Sequence, residues 1–196
     1  KHPSTSSNIK SLKDFGNKLI PSGFGELASG LVGEGRMAEP SEIIDYIIKD
    51  LSKELPFTNK NILITAGPTY ESIDPVRFIG NRSSGKMGVA LALECANQGA
   101  KVNLALGPSH INVTHSNITL FRVESAEEMF RVVENNFESS DISIFAAAVS
   151  DYTPASFSKN KIKKLDNYSK ISLVRTKDIL LEMSLRRKDK QVLVGF

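Results

Sequence analysis

The apolar positions change rhythm near residue 60. Before that point they recur at helical spacing. Ile43, Ile44, Ile47, Ile48 and Leu51 fall on one face behind Pro40, which predicts an amphipathic helix opening at that proline. Ser6 or Ser7 is placed to cap a short helix through Phe15, with Gly16 as its stop. Residues 18–21 read as a short strand. Gly23, Gly25, Gly30, Gly33 and Gly35 punctuate a loop, and residues 52–60 read as a linker. A segment of roughly 50 residues buries too little apolar surface to fold alone.

From Asn61 onward, strand-like and helix-like segments alternate. Strands are predicted at 62–66, 102–106, 118–123, 142–149 and 171–173, and from 192 on. Helices are predicted at 89–97, at 178–185, and from the capping-box spacing Ser125-Ala126-Glu127-Glu128 to about 137. The continuous apolar run 142–149 has the character of a central parallel strand. Such alternation predicts an α/β fold: a doubly wound, mostly parallel, Rossmann-like sheet with helices on both faces. Ligands of such sheets sit beyond the carboxyl ends of the strands. The expected division is 1–55 and 56–196.

Composition narrows the class. A formal net charge of +3 leaves no electrostatic footprint for nucleic acid. Cys95 is the single cysteine, so no intrachain disulfide forms and a reducing compartment is expected. No apolar run approaches the ~20 residues needed to span a bilayer, and residues 1–20 lack the order of a signal peptide. A soluble, cytoplasmic protein is expected. The start at Lys1-His2-Pro3 and the stop inside the apolar run 192–196 read as those of a fragment.

Three segments should meet at the carboxyl edge. The first is the long excursion 67–88, which ends at a helix start carrying Ser83, Ser84, Gly85 and Lys86. Free N–H groups and the helix dipole favour an anion there. The alternative is a helix cap whose glycines allow tight packing. Residues 80–86 also match G-x-x-x-x-G-K, but Met87 stands where a P-loop needs Ser or Thr, and the match begins far downstream of the strand. No G-x-G-x-x-G follows the first strand, and no carboxylate closes the second, so a dinucleotide fingerprint is missing. The second segment is 146–152, where small residues admit a ligand to the backbone and Asp151 could bind a ribose hydroxyl or a metal, or simply cap a loop. The third, 159–164, holds Lys159, Lys161, Lys163 and Lys164. It is either a solvated face or a lysine-bearing lid over phosphates. His2, His110 and His115 are too scattered for a metal cluster, and metal ligands stay unknown. The residues alone reach an α/β enzyme for a phosphorylated nucleotide.

Residues 64–88, ITAGPTYESIDPVRFIGNRSSGKMG, closely resemble the signature of the phosphopantothenate–cysteine ligase family. The stretches 147–152, 161–164, 178–180 and 194–196 follow in that family's order, so the resemblance covers about 61–196. Residues 2–3, 25–30 and 33–40 are similar to the end of phosphopantothenoylcysteine decarboxylase, which bacteria often fuse ahead of the ligase. The resemblance implies coenzyme A biosynthesis with 4′-phosphopantothenate, L-cysteine and CTP as substrates, Mg2+ on the triphosphate, and an acyl-cytidylate intermediate. CTP rather than ATP follows from the bacterial type of fusion. It implies a homodimer of ligase domains, with a higher oligomer in the fused enzyme. FMN would belong only to decarboxylase residues preceding Lys1. Ser29 stands where many relatives carry a cysteine, so decarboxylation is not expected of residues 1–55. By the same resemblance Lys161 contacts nucleotide phosphates and Asp151 binds the nucleotide. Phe145, Ala146, Ala147, Ala148, Lys177, Asp178, Ile179, Leu180 and Phe196 frame base and ribose. From the helix-start reading above, Gly67, Ser83, Ser84 and Gly85 complete the nucleotide set. Asn81 and Arg77 hold the acyl intermediate across the dimer interface. Lys177 replaces a proline common among relatives.

Overall fold

Pro3 opens helix α1 (Pro3–Asp14), because its fixed φ suits the first helical position and His2 Nδ1 accepts the Ser4 N–H at 3.3 Å. The cap therefore falls ahead of Ser6 and Ser7. Residues 18–21 are not a strand; the glycine-rich stretch behind them is. It forms the antiparallel hairpin β1 (Gly23–Glu26) and β2 (Val32–Arg36). Glycines at the half-buried positions of β1 hid its alternation, since Phe24 faces solvent. Helix α2 (Pro40–Ser52) begins at its proline as expected. The computed structural model describes residues 2–26, 29–52, 55–163 and 170–196, in two compact units, Lys1–Glu54 and Leu55–Phe196. Leu27, Ala28, Lys53, Glu54 and Lys164, each part of a segment singled out above, lie outside the described residues.

In the second unit, residues 55–59 are turns rather than a free linker. The Phe57 N–H donates to the Gln98 carbonyl at 2.9 Å, and its ring packs on the core. The elements that follow are β3 (Asn61–Ala66), β4 (Tyr70–Ser72), β5 (Phe78–Gly80), α3 (Lys86–Asn97), β6 (Lys101–Leu106), β7 (Ile118–Arg122), α4 (Ala126–Phe137), β8 (Ile142–Phe145), β9 (Tyr152–Pro154), β10 (Leu173–Arg175), α5 (Ile179–Leu185) and β11 (Val192–Gly195). Five of the strands form one sheet in the order β11-β8-β3-β6-β7, every neighbouring pair parallel. The chain thus runs outward from β3 to β7, then returns to β8 on the other side, which is the doubly wound pattern.

Alternation along β3 distributes the core. Ile62, Ile64 and Ala66 join Val102, Leu104 and Leu106 under Val89, Ala92 and Ala96 of α3. Leu63 points the other way, with Ala105 and Phe145, under Met129, Phe130 and Val133 of α4 and Ile179 and Met183 of α5. Fully burying each large aliphatic side chain contributes about 1.5–3 kcal/mol. Helices therefore cover both faces, and this fixes which strand ends open to solvent.

Two strand expectations change. The run 142–149 is a strand only to Phe145; the Ala146 N–H still donates to Thr65 O of β3, and Ala148 and Ser150 then bind the loop after β3. Strand β8 is interior, as its apolar run suggests, paired in parallel with both β11 and β3, while β3 stands at the middle of the five. Residues 171–173 do not enter the sheet; β10 starts at Leu173 and pairs antiparallel with β9. Helix α3 starts at Lys86, three residues before the expected 89, behind the left-handed Gly85 (φ 77°). The β4–β5 hairpin lay unseen inside the long excursion.

Candidate functional site at the carboxyl edge of the sheet

At the switch point between β3 and β8, the two departing loops stay joined. The Ala148 N–H donates to Gly67 O at 2.8 Å, and the Ser150 N–H to Thr69 Oγ1 at 2.9 Å. Thr69 is fully buried between them. The opening therefore lies one strand over, between the end of β8 and the start of α5. It is a cavity of about 650 Å³ walled by Phe145, Ala147, Val149, Ser150, Asp151, Tyr152 and residues 175–181, floored by Thr65 and edged by Phe196.

The wall is anchored by its backbone. The Thr176 N–H donates to Asp151 O at 3.0 Å, and Thr176 Oγ1 donates to Ser150 O at 2.6 Å. Asp178 caps α5 through Oδ1, which accepts the Leu181 N–H at 2.9 Å. The Lys177 ammonium is 3.2 Å from Glu127 Oε2 and 4.2 Å from the centre of the Phe130 ring. Lys177 in turn pulls the Glu127 carboxyl below its usual range. Among the described residues, neither the Asp151 carboxylate nor the Arg175 guanidinium has a side-chain partner.

The structure gathers Phe145, Ala147, Asp151, Lys177, Asp178, Ile179, Leu180 and Phe196 around this one cavity. Ala146 and Ala148 are in the loop behind it, held by N–H bonds to Thr65 O and Gly67 O. Gly67, Ser83, Ser84, Gly85 and Lys161 lie outside its wall. Gly67 (φ 79°) and Gly85 (φ 77°) instead pack against each other; a Cβ on Gly85 would stand 3.2 Å from Gly67 Cα. Close packing is thus what the geometry accounts for at these two glycines. Ser83 and Ser84 accept the N–H groups of Gly85 and Lys86, each at 3.4 Å.

Asn81 ties the helix-start loop to the loop after β8, its Nδ2 donating to Ala148 O at 3.2 Å and Val149 O at 3.0 Å. Arg77 clips two further loops. Its guanidinium pairs with Asp74 Oδ2 and donates to Ile162 O at 2.7 Å. Asp74 also accepts the Ile162 N–H at 3.1 Å, so the lysine-bearing segment is docked on the β4–β5 turn. Sequence reasoning missed Asp74. The available signal was Asp-Pro followed by Arg at the third position, a turn initiator with a cation in reach. It also missed Glu71, a buried carboxylate that accepts the Ala126 N–H at the start of α4 at 2.8 Å.

Among the described residues, no group of three or more His, Cys, Asp and Glu is placed to hold a metal. With Asp178 spent on a helix cap, Asp151 is the one free carboxylate of the wall among the described residues. That donor set suits a magnesium ion carried mainly by ligand phosphates rather than a protein-built metal cage. No helix among the described residues is long and apolar enough to cross a membrane.

Sheet order, carboxyl-edge cavity and charged wall define a Rossmann-like α/β protein with an open crevice beside its switch point. Residues 57–196 match the model of the DNA/pantothenate metabolism flavoprotein C-terminal domain, and the chain belongs to that family. The whole chain is 47% identical to a cysteine/cysteine sulfinic acid decarboxylase from an unknown prokaryotic organism, covering 55% of it. It is 42% identical, again over its whole length, to the coenzyme A biosynthesis bifunctional protein CoaBC of Bacillus subtilis, covering 48% of it. The chain thus spans about half the length of these curated relatives. A crystal structure of the C-terminal domain of a CoaBC protein superposes with a TM-score of 0.62 at 43% identity, over 73% of this chain and 66% of that one.

Proposed function

We propose that residues 56–196 belong to a phosphopantothenate–cysteine ligase that uses CTP and works in coenzyme A biosynthesis. The observation that carries this reading is the crevice itself. It sets small backbone-exposing residues and a free carboxylate beside the switch point, in a chain of this family. A ribose diol fits Asp151, and the backbone at Ala147 together with Ile179 and Leu180 offers an edge and an apolar bed for a base.

The reaction proceeds in two displacements. A carboxylate oxygen of 4′-phosphopantothenate attacks the α-phosphorus of CTP, and the bond to the β-phosphate oxygen breaks, so pyrophosphate leaves with the electron pair. The cysteine amine then attacks the activated acyl carbon and CMP departs as the amine loses its proton. Activation is needed because a carboxylate is a poor acyl donor, and two steps replace one difficult one. Magnesium, when bound, neutralises the triphosphate. Lys161, on the segment docked by Asp74 and Arg77, would place positive charge where it develops on the phosphates. Asn81, tied to the loop after β8, would hold the acyl group in register with the nucleotide.

Supporting a homodimer, the β4–β5 hairpin exposes Val76 and Phe78. Similarity over the whole chain to a relative named for a decarboxylase and to a bifunctional coenzyme A biosynthesis protein supports residues 1–55 as the end of a flavin-dependent decarboxylase domain. A P-loop phosphotransferase is the weaker reading, because Met87 stands where its magnesium-binding Ser or Thr is needed.

The test is release of pyrophosphate and CMP from CTP in the full-length protein, dependent on phosphopantothenate. Lys161→Gln should slow activation by about 10²-fold, the usual loss when one charge-stabilising donor is removed. Asn81→Ala should leave activation intact and spill the acyl-cytidylate. ADP or CDP as product, or unchanged turnover in both variants, contradicts the proposal.

A further inference from the structure

Among the described residues, the crevice wall carries four charged side chains, and the protein itself satisfies two of them. Asp178 is committed to the cap of α5, and Lys177 to Glu127 and the Phe130 ring. Asp151 and Arg175 remain without side-chain partners among the described residues, although both border the same cavity. They are not independent in position. Arg175 is the register partner of Tyr152 in the β9–β10 pair, and the Thr176 N–H and hydroxyl are bonded to the Asp151 and Ser150 carbonyls. An acceptor and a fork of donors are thus presented from one backbone-fixed patch. Two opposite charges that share a patch yet do not pair are complementary to a ligand offering hydroxyls to one and an anion to the other.

We propose that Arg175 is the crevice cation that binds a phosphate oxygen of the nucleotide while Asp151 binds its ribose. This rests on the nucleotide reading of the same crevice and adds a specificity-determining residue to it. The guanidinium suits the role because it stays charged at every working pH and presents paired N–H donors to phosphate oxygens. Lys177 is the poorer candidate, since any phosphate must first displace its carboxylate and aromatic partners.

Calorimetric titration of the full-length protein with CTP and with cytidine separates the two anchors. Arg175→Met should weaken CTP binding by about tenfold or more, as expected for a lost charge-assisted hydrogen bond, and change cytidine affinity by less than about twofold. Arg175→Lys should recover part of the loss, and Asp151→Asn should weaken both ligands. The salt dependence of CTP binding should flatten in Arg175→Met alone. If wild-type protein binds CTP and Arg175→Met binds it equally well, or loses cytidine and CTP in equal measure, the role of Arg175 is overturned while the nucleotide reading stands. If wild-type protein binds neither ligand, the nucleotide reading falls and Arg175 falls with it.

Discussion

Asp74 accepts five hydrogen bonds with its carboxylate withdrawn from solvent: from the Val76, Arg77 and Ile162 N–H groups and twice from the Arg77 guanidinium. The Arg77 guanidinium, aided by the backbone donors and against the cost of burial, holds this carboxyl well below the usual carboxylate range. A depressed value means the folded protein keeps the charge while the unfolded chain takes up a proton. The stabilisation is therefore complete above the unfolded value of about 3.9 and is lost only as pH falls below it. Carboxyl NMR should show Asp74 still ionised at pH 3.5, and Asp74→Asn should speed amide exchange at Ile162 relative to the wild type. An Asp74 titrating near 4 would contradict this clip. Gly85 makes a second prediction at the same scale. Its φ of 77° is strained for alanine, and a Cβ 3.2 Å from Gly67 Cα would crowd the β3 loop. Gly85→Ala should cost at least about 1–2 kcal/mol in urea denaturation, the penalty of the left-handed region alone. A neutral result would mean that the α3 start is not seated against β3.

Elements with their own signal were legible from the sequence. The Pro40 helix, the strands at 62–66, 102–106 and 118–123, and the helix behind Ser125 all stand close to where periodicity put them. Ser125 Oγ accepts the Glu128 N–H at 3.2 Å, while Glu128 Oε2 reaches back to the Glu124 N–H, one residue beyond the usual reciprocal bond. Ser125→Ala should destabilise the second unit by about 1 kcal/mol in thermal or chemical denaturation; no loss would mean that Glu71 and Glu128 suffice to hold the helix start. Elements that failed to show were those whose partners lie far along the chain. Hairpin β4–β5 carries a buried Glu71 that reads as polar until α4 supplies its donor. Strand β10 exposes all three of its residues and is a strand only because β9 pairs with it. The apolar run 142–149 could not reveal that Ala148 would prefer Gly67 O to the sheet ladder. The same long-range dependence limited the site. Phe145, Ala147, Asp151 and residues 177–180, which the family resemblance set around one ligand, line one cavity, but Arg175 had no local signal, since its place depends on the β9–β10 register.

At the scale of the molecule, the β11-β8-β3-β6-β7 order brings the carboxyl ends of β8 and β11 beside α5, and the bonded loops 67–69 and 146–150 push the opening toward that side. The described buried apolar residues, Ala38 apart, belong to the second unit. Removing residues 1–54 should therefore leave cooperative unfolding and CTP affinity close to those of the longer chain. A loss of cooperativity on truncation would show that the second unit depends on the first. The central claim is that the nucleotide lies in the crevice walled by Asp151, Arg175 and the start of α5. Amide hydrogen exchange with and without CTP tests it most directly. The account predicts protection at residues 146–152 and 175–181. Protection confined to residues 81–88, with the crevice amides unchanged, would contradict it.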